Sequence, residues 1–484
     1  MNHTVNNIKV LKVLLQTASP MAIHTGKREV GFDNQLVRDV NGLPLIPATA
    51  FAGVWRHLAE DAFANLSSAK PSATRIDSWF GKTDGDESQA SRLMISNGVM
   101  LDSQHQVVKP YTAKDKLEKD ALLRVCLHER PLHRERVAIN DRGVALEGAK
   151  FDQILLPTGV RFALTVQWPA TGVSVDEQTL LLSLLNDKRF ALGASTRNGL
   201  GQLNVVYSEL VDIDLGEGAE AGKKLQAAIS KPCHQQNELA KSCYQHNSHQ
   251  LLASLPLKAL DNWRCGSGTQ LLGKQPESGS VGIISYSEHT ITWQNNRAAM
   301  TERQPVLCGS SVKGMLAHRI AYHYRKHSQK WAHTMANDTH QDWQKRPAEL
   351  GDLLGFIDGD TKTAQAGRLI VLDSAVSYDP EQMVIRTHNS IDRFTGGVRD
   401  GALYSEELLY QPTFELQLYL TPGEPLSDAL SGALLDTLND IKFGLLPIGA
   451  GAGRGTSMVM PDSSKTWQIN ATLLRNQSNL EGQA

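Results

Sequence analysis

The sequence predicts an α+β protein built from two tandem ferredoxin-like domains. Three observations carry this reading. The stretch "LPLIPATAFAGVWRHLAE" from Leu43 is echoed by "QPVLCGSSVKGMLAHRIAYHYRK" from Gln304. Three further pairs recur in the same order: "FGKTDGDESQASRLMIS" from Phe80 with "LGFIDGDTKTAQAGRLIVL" from Leu354, "INDRGVALEGAKFDQILLPTG" from Ile139 with "SIDRFTGGVRDGALYSEELLYQPT" from Ser390, and "LLNDKRFALGASTRNGLGQLNVV" from Leu184 with "TLNDIKFGLLPIGAGAGRGTSMVM" from Thr437. Within each copy, strand-like and helix-like stretches follow the order strand–helix–strand–strand–helix–strand. Chance matches between glycine-rich turns would not preserve the order of the landmarks.

Each element has a local reason. "NIKVLKVLLQTAS" is apolar and β-branched enough for a strand, and "LPLIPATAFAGVWRHLAEDAFANL" reads as a strand end, a proline and a helix. Thr49 is placed to cap that helix, and Phe51, Val54, Leu58 and Phe63 fall on one face. "SRLMISNGVML" is strand-like, "VRFALTVQW" alternates with period two, "DEQTLLLSLLND" is helical, and "GQLNVVYSEL" closes the copy as a strand. The expected boundaries are 1–210 for the first domain and 251–484 for the second. The polar, Gly/Ala-rich stretch 211–250 is the expected linker.

Bulk properties exclude several classes. The 484 residues suffice for two cores, and 49 basic against 51 acidic residues give a net charge of −2. A nucleic-acid site must therefore be a local patch. No apolar run reaches the length of a membrane span. Five irregularly spaced cysteines and the absence of a signal-peptide pattern lead us to expect a reducing cytoplasm and no membrane partner.

Two features point to phosphate. The loops "GASTRNGLG" and "GAGAGRG" each lie between a helix and a strand and each hold one arginine, Arg197 or Arg454. Neither ends in the G-K-[ST] of a Walker loop. A helix C-cap explains one glycine in such a loop, whereas several in both copies suggest backbone approach to phosphate. The second feature is the window 303–337, which has no Asp or Glu but holds Arg303, Lys313, Arg319, Arg325, Lys326 and Lys330, four histidines and interleaved Tyr322, Tyr324 and Trp331. A single-sign helix in a neutral protein suggests contact with a polyanion. The first copy repeats this only weakly, with Arg56 and His57 before Glu60 and Asp61.

These residues resemble a known family. "GLPLIPATAFAGVWR" and "PVLCGSSVKGMLAHR" look like the proline–small–Ser–Ser–Leu–Lys–Gly–Leu–Arg signature of the RAMP superfamily of CRISPR proteins, and the glycine loops look like its glycine-rich loop. "SIDRFTGGVRDGALYSEELL" resembles the thumb segment of type III effector backbone subunits, and the doubling resembles the tandem-fused subunits of type III-D and related effectors. The resemblance implies ferredoxin-like domains stacked along a guide RNA, other effector subunits as neighbours, and a thumb hairpin that disrupts the guide–target duplex. It also implies an aspartate before the signature helix that supports metal-dependent cleavage of single-stranded target RNA. "FDNQLVRDVNGLPLIP" matches that pattern, which puts the catalytic and metal-binding role, with Mg²⁺ or another divalent cation, on Asp33 and the family's second acid on Asp39. The RNA contacts implied are Lys27, Arg28 and Arg38 in the loop, Thr49 and Arg56 on the first signature helix, and Arg142 on the first thumb. Arg197, Asn198 and Gly199 follow in the first glycine loop, Ser310, Ser311, Lys313 and Arg319 on the second helix, Arg393 on the second thumb, and Gly453 and Arg454 in the second loop.

The second copy departs from the pattern. Counting back from Pro305 puts Gln294 at the position of Asp33; Glu288 and Glu302 are the nearest acids, an insertion before Pro305 blurs the register and leaves Glu288 open, and Ser457 replaces the last glycine of the loop. The expectation is one cleaving domain and one inert, RNA-binding domain. Two alternatives stay open: a scaffold that does not cleave, and a metal-independent guide-processing endonuclease with His24 as base. Cys233, His234, Cys243, His246 and His249 do not follow usual zinc spacing and read as polar linker. Cys126, His128 and His133, among arginines, read as facing RNA or solvent rather than metal, and the "DGD" at Asp84–Asp86 and Asp358–Asp360 reads as a turn.

Overall fold

In a computed structural model, residues 7–26, 34–64, 72–140, 143–230, 249–276, 280–334, 346–358 and 363–474 are described. The first domain has one antiparallel sheet. Asn7–Thr17 lies between Leu203–Asp214 and Arg161–Pro169, and the short strands Met94–Ile95 and Val99–Met100 pair with the outer side of Arg161–Pro169. Numbered by role, this is the order fourth–first–third–second of a ferredoxin-like sheet. The second domain repeats it: Gln250–Ala259 lies between Val459–Pro461 and Thr413–Leu420, with Leu369–Val371 beyond. The expected α+β tandem fold is the one observed.

Helices cover the sheets where the apolar side chains point. Leu11, Val13 and Leu15 enter the main core with Phe51, Trp55 and Leu58 of the helix Ala48–Ala64 and Leu181 and Leu184 of Val175–Leu184. Val10, on the other face, is buried with Ile213 under the helix Ala219–Ser230. That second cover explains why "NIKVLKVLL" is apolar on both faces instead of alternating. It also moves the domain boundary. The expected linker 211–250 begins later, because 211–214 continue a ladder with 7–10 and Ala219–Ser230 packs on that ladder. Residues 231–248, which include Cys233, His234, Cys243 and His246, lie outside the described residues.

Each domain carries a projecting hairpin. The first thumb is Leu132–Ile139 with Ala145–Leu155, and the second is Met383–His388 with Tyr404–Tyr410. A further hairpin of the second domain, Ile291–Gln294 with Arg297–Met300, docks on the first domain. Ile291 N donates to Thr158 O at 2.9 Å, Trp293 Nε1 to Gly159 O at 2.7 Å and Ala298 N to Ser103 O at 2.9 Å. The Arg161 guanidinium lies 4.2 Å from the Trp293 ring centre. Ile291 thereby joins the hydrophobic core of the other domain.

Gly159 sets this contact. Its φ is +93°, and a Cβ there would fall 1.9 Å from Ile291 O. A left-handed L residue alone costs about 1–2 kcal/mol, and the clash adds to it. Gly159→Ala is expected to release the docking hairpin. Hydrogen exchange at the Ile291 and Ala298 amides should accelerate while the central strands of both sheets stay protected. Unchanged exchange at those two amides would mean that the junction does not depend on this contact.

Candidate nucleic-acid interface

The two signature helices, Ala48–Ala64 and Gly309–His327, start in the same way. Ala48 N donates to Asn97 Oδ1 at 2.9 Å and Gly309 N to Asp373 Oδ1 at 2.8 Å. The cap of the first helix is thus a distant Asn97 rather than Thr49, which sits exposed in the first turn. Phe51, Trp55 and Leu58, and Val312, Leu316 and Ile320, face the cores. The opposite face holds Thr49, Gly53 and His57 in one copy and Ser311, Gly314 and His318 in the other, all exposed. Aligned on Pro44 and Pro305, Gly53 matches Gly314 and His57 matches His318. A mid-helix glycine costs about 1 kcal/mol relative to alanine, yet a Cβ at either position would meet nothing within 4 Å. Packing does not demand these glycines; they leave bare helix backbone on the open face.

The second helix is less basic in space than in sequence. Arg319 Nε pairs with Asp440, His323 Nε2 lies 2.6 Å from the same carboxylate, and Lys326 and His327 reach Asp436 at 3.2 and 3.0 Å. Both acids lie one turn apart on the helix Asp428–Lys442. Burial raises their pKa values, but the hydrogen bonds and charges of these partners outweigh it and hold both below the usual carboxylate range. Arg319 is therefore committed to the protein. Lys313 is half-buried, donates to Leu369 O at 2.7 Å, and has its pKa lowered to about 8 by burial and then by Arg197.

The glycine loops differ from each other. In the first, Cβ atoms at Gly193 and Gly201 would strike the backbone of Ala22 and Leu192, and one at Gly199 would strike Leu372 of the second domain. Arg197 Nη1 donates to Thr421 Oγ1 at 2.7 Å, and the turn closes by Asn198 N on Ser195 O. These glycines serve close packing. In the second loop Gly453 and Gly455 have open space, and Arg454 is exposed, 3.9 Å from the buried Glu406.

With this geometry in view, the RAMP superfamily profile matches residues 14–204 and 257–457. The chain belongs to the RAMP superfamily. RAMP membership makes it a CRISPR-associated RNA-binding subunit, of a class that binds CRISPR RNA and effector-complex partners. No curated protein matches the chain closely enough to count as a relative. Among the described residues, no helix is long and apolar enough to cross a membrane.

The remaining RAMP-derived positions fall as follows. Lys27, Arg28, Asp33 and Arg142 lie outside the described residues. Arg38 donates to the carbonyls of Gly42, Cys126 and His128 at 2.6–2.8 Å, and Arg56 is held by Glu60, Asp77 and Gly81 O. Ser310 is half-buried, Ser311 is exposed, and Arg393 is exposed near the tip of the second thumb. Asp39 accepts the amides of Asn41 and Leu43 and so shapes a turn. His24 Nε2 lies 3.1 Å from Ile154 O. Cys126 is buried with its thiol pushed up to about 12, while His133, Glu135 and Asp152 cluster on the first thumb. His249 is pushed down to about 4 by burial and by Arg197.

The structure also corrects the register between the two RAMP domains. Arg38 bridges to Pro44, and Ser287 bridges to Pro305 in the same antiparallel sense. Asp39 therefore corresponds to Glu288, and the docking hairpin is an insertion of the second domain. Gln294, placed opposite Asp33 by counting, belongs to that insertion instead. Glu288 is buried against Arg134, with Arg134 Nε at 2.7 Å. The sequence signalled an insertion before Pro305 but not its bounds, because no matched landmark precedes that proline.

Asp440 supplies a test. A carboxylate held below its unfolded value contributes stability above about pH 4 and loses it as pH falls through the folded pKa. Asp440→Asn should cost about 1.5–3 kcal/mol at pH 7, the range for hydrogen bonds to charged groups. The deficit, read from urea midpoints, should shrink toward pH 3. A deficit independent of pH would show that the charge of Asp440 is not what holds Arg319 and His323.

Proposed function

We propose that this RAMP chain is a guide-RNA-binding backbone subunit of a type III CRISPR effector, with a type III-D-like tandem organisation, whose first domain cleaves bound target RNA at Asp33. One observation carries the backbone reading. The first thumb, the first glycine loop and the second signature helix meet at a single junction: His318 Nε2 lies 2.9 Å from Ile139 O, and Lys313 Nζ lies 3.5 Å from Arg197 O. The open face of that helix offers Ser311 and the bare backbone at Gly314 beside the thumb. A hydroxyl at Ser311 and the close approach that Gly314 permits suit a sugar–phosphate chain.

The cleavage reading rests on the match of "FDNQLVRDVNGLPLIP" to the family pattern. Of the two acids in that pattern, Asp39 is engaged by its own turn, which supports giving the cation to Asp33. A bound Mg²⁺ would neutralise charge at the scissile phosphate. The part of this chain is to hold the RNA in line across the signature-helix face and to present that carboxylate.

Protein expressed beside a CRISPR array should purify with RNA of defined length; nucleic-acid-free protein would end the guide-binding reading. Asp33→Ala should abolish one cleavage position in a bound target and leave target binding nearly unchanged, since the role proposed for that carboxylate is in cleavage and not in holding the RNA. Chelation of Mg²⁺ should reproduce the loss. If Asp33→Ala cuts every site as well as the parent, the chain is a scaffold or cleaves elsewhere.

A further inference from the structure

A surface groove on the first domain lies outside the junction. It has a volume of about 760 Å³ and is lined by Val40, Tyr111, Thr112, Arg124, Leu127 and His128 among others. Tyr111 stands out. It is 86% exposed, yet its φ is +56°. A bulky residue in the left-handed region is strained by about 1–2 kcal/mol. An exposed ring recovers nothing from core burial, so the strain has no explanation in packing.

The surroundings hold it there. Thr112 N donates to Asn41 Oδ1 at 3.0 Å, Asn41 Nδ2 to Lys109 O at 3.0 Å, and Thr112 Oγ1 to Lys109 O at 2.7 Å. Asn41 is in turn fixed by both carboxylate oxygens of Asp39. Arg38 ties the opposite wall to the same turn through the carbonyls of Gly42, Cys126 and His128. The Tyr111 turn is thus clamped to the segment that leads into the first signature helix. Of the charged residues that line the groove, Lys114 and Arg124 are basic and Glu118 is acidic, with Lys114 Nζ 3.6 Å from Glu118 Oε1. Arg124 and His128 are exposed at its edge.

We propose that this groove is a subsite for a nucleotide of single-stranded RNA, whose base stacks on the Tyr111 ring while Arg124 and Lys114 face its phosphates. It rests on the RNA-binding reading above and adds to it a site away from the signature helices. An exposed aromatic on a clamped turn beside cations is what a base needs, and the groove's volume lies within the range of small-ligand sites. Base–aromatic stacking of this kind is sequence-tolerant.

The test uses the full chain and a fluorescein-labelled 12-nucleotide oligoadenylate followed by anisotropy. Tyr111→Gly should weaken binding by about 5–150-fold, the equivalent of about 1–3 kcal/mol per stacked base. It should not lower the melting temperature, because glycine relieves the left-handed strain. Tyr111→Phe should bind like the parent. If the parent binds and Tyr111→Gly binds equally, the subsite is wrong and the RNA reading stands; a concurrent change in oligomeric state would assign the groove to a protein partner. If the parent itself fails to bind, both readings fall. A loss of affinity that tracks a lower melting temperature makes Tyr111 structural and overturns the proposal.

Discussion

The relation between the two domains hangs on the Arg134 guanidinium. It projects from the first thumb, is 2% exposed, and lies between two carboxylates of the second domain. Nε is 2.7 Å from Glu288 Oε1 and Nη2 is 2.7 Å from Asp373 Oδ2. Tyr286 OH donates to the same Glu288 oxygen at 2.6 Å. Burial opposes the charge of Arg134, but Cys308 and the facing Asp373 and Glu288 outweigh it and raise its pKa further above the ordinary value. A buried charge without its partner costs about 3–5 kcal/mol. The node therefore acts as a latch: neither domain can withdraw without leaving an unpaired ion in a dry place. Asp373 extends the latch, since its other oxygen caps the second signature helix. The thumb of one domain and the helix N-terminus of the other are thereby held by a single side chain.

The internal duplication shows how this latch arose from common parts. Asn97 and Asp373 cap their helices identically, but only the carboxylate has a second anionic oxygen for an arginine. Asp39 and Glu288 share a strand position, and one closes a turn while the other binds Arg134. Strand register places Arg386 of the second thumb opposite Glu406, as Arg134 lies opposite Gln153 in the first. Among the described residues, Arg386 forms no ion pair within 4.0 Å. A thumb arginine is thus a buried latch in one copy and a half-exposed cation in the other. The difference comes from what faces it, not from the thumb itself.

What the sequence made legible was local. Period-two strands, apolar helix faces and the order of landmarks gave both domains, and the helix openings after Pro44 and Pro305 were readable from a few adjacent residues. What it hid was long-range. The acids that neutralise Arg319 and Lys326 lie more than a hundred positions away, at Asp440 and Asp436, so a one-sign window in sequence is a paired interface in space. Thr49 had the chemistry of a cap, but Asn97 reaches the helix end across the sheet. The first glycine loop reads as phosphate-binding by composition, while Gly199 gives way to Leu372 of the neighbouring domain, a partner no local pattern encodes. The insertion at 289–303 displaced the count that paired Asp33 with Gln294. Residues around Asp33 are legible by motif and lie outside the described structure.

These corrections sharpen the functional surface. Once Arg38, Arg56, Lys313 and Arg319 are seen to serve the fold, the candidate RNA face no longer rests on a dense row of cations. It rests on features the fold does not use: the bare backbone at Gly53 and Gly314, the exposed Ser311, the open glycines of the second loop, and the exposed ring of Tyr111 on its strained backbone. Each departs from what local stability would favour, by a helix glycine without a packing role, by an open glycine turn, or by an aromatic in the left-handed region. Such a surface reads shape and backbone more than charge. That fits a chain whose net charge is −2 and which must hold RNA by close approach at repeated positions rather than by a general electrostatic field.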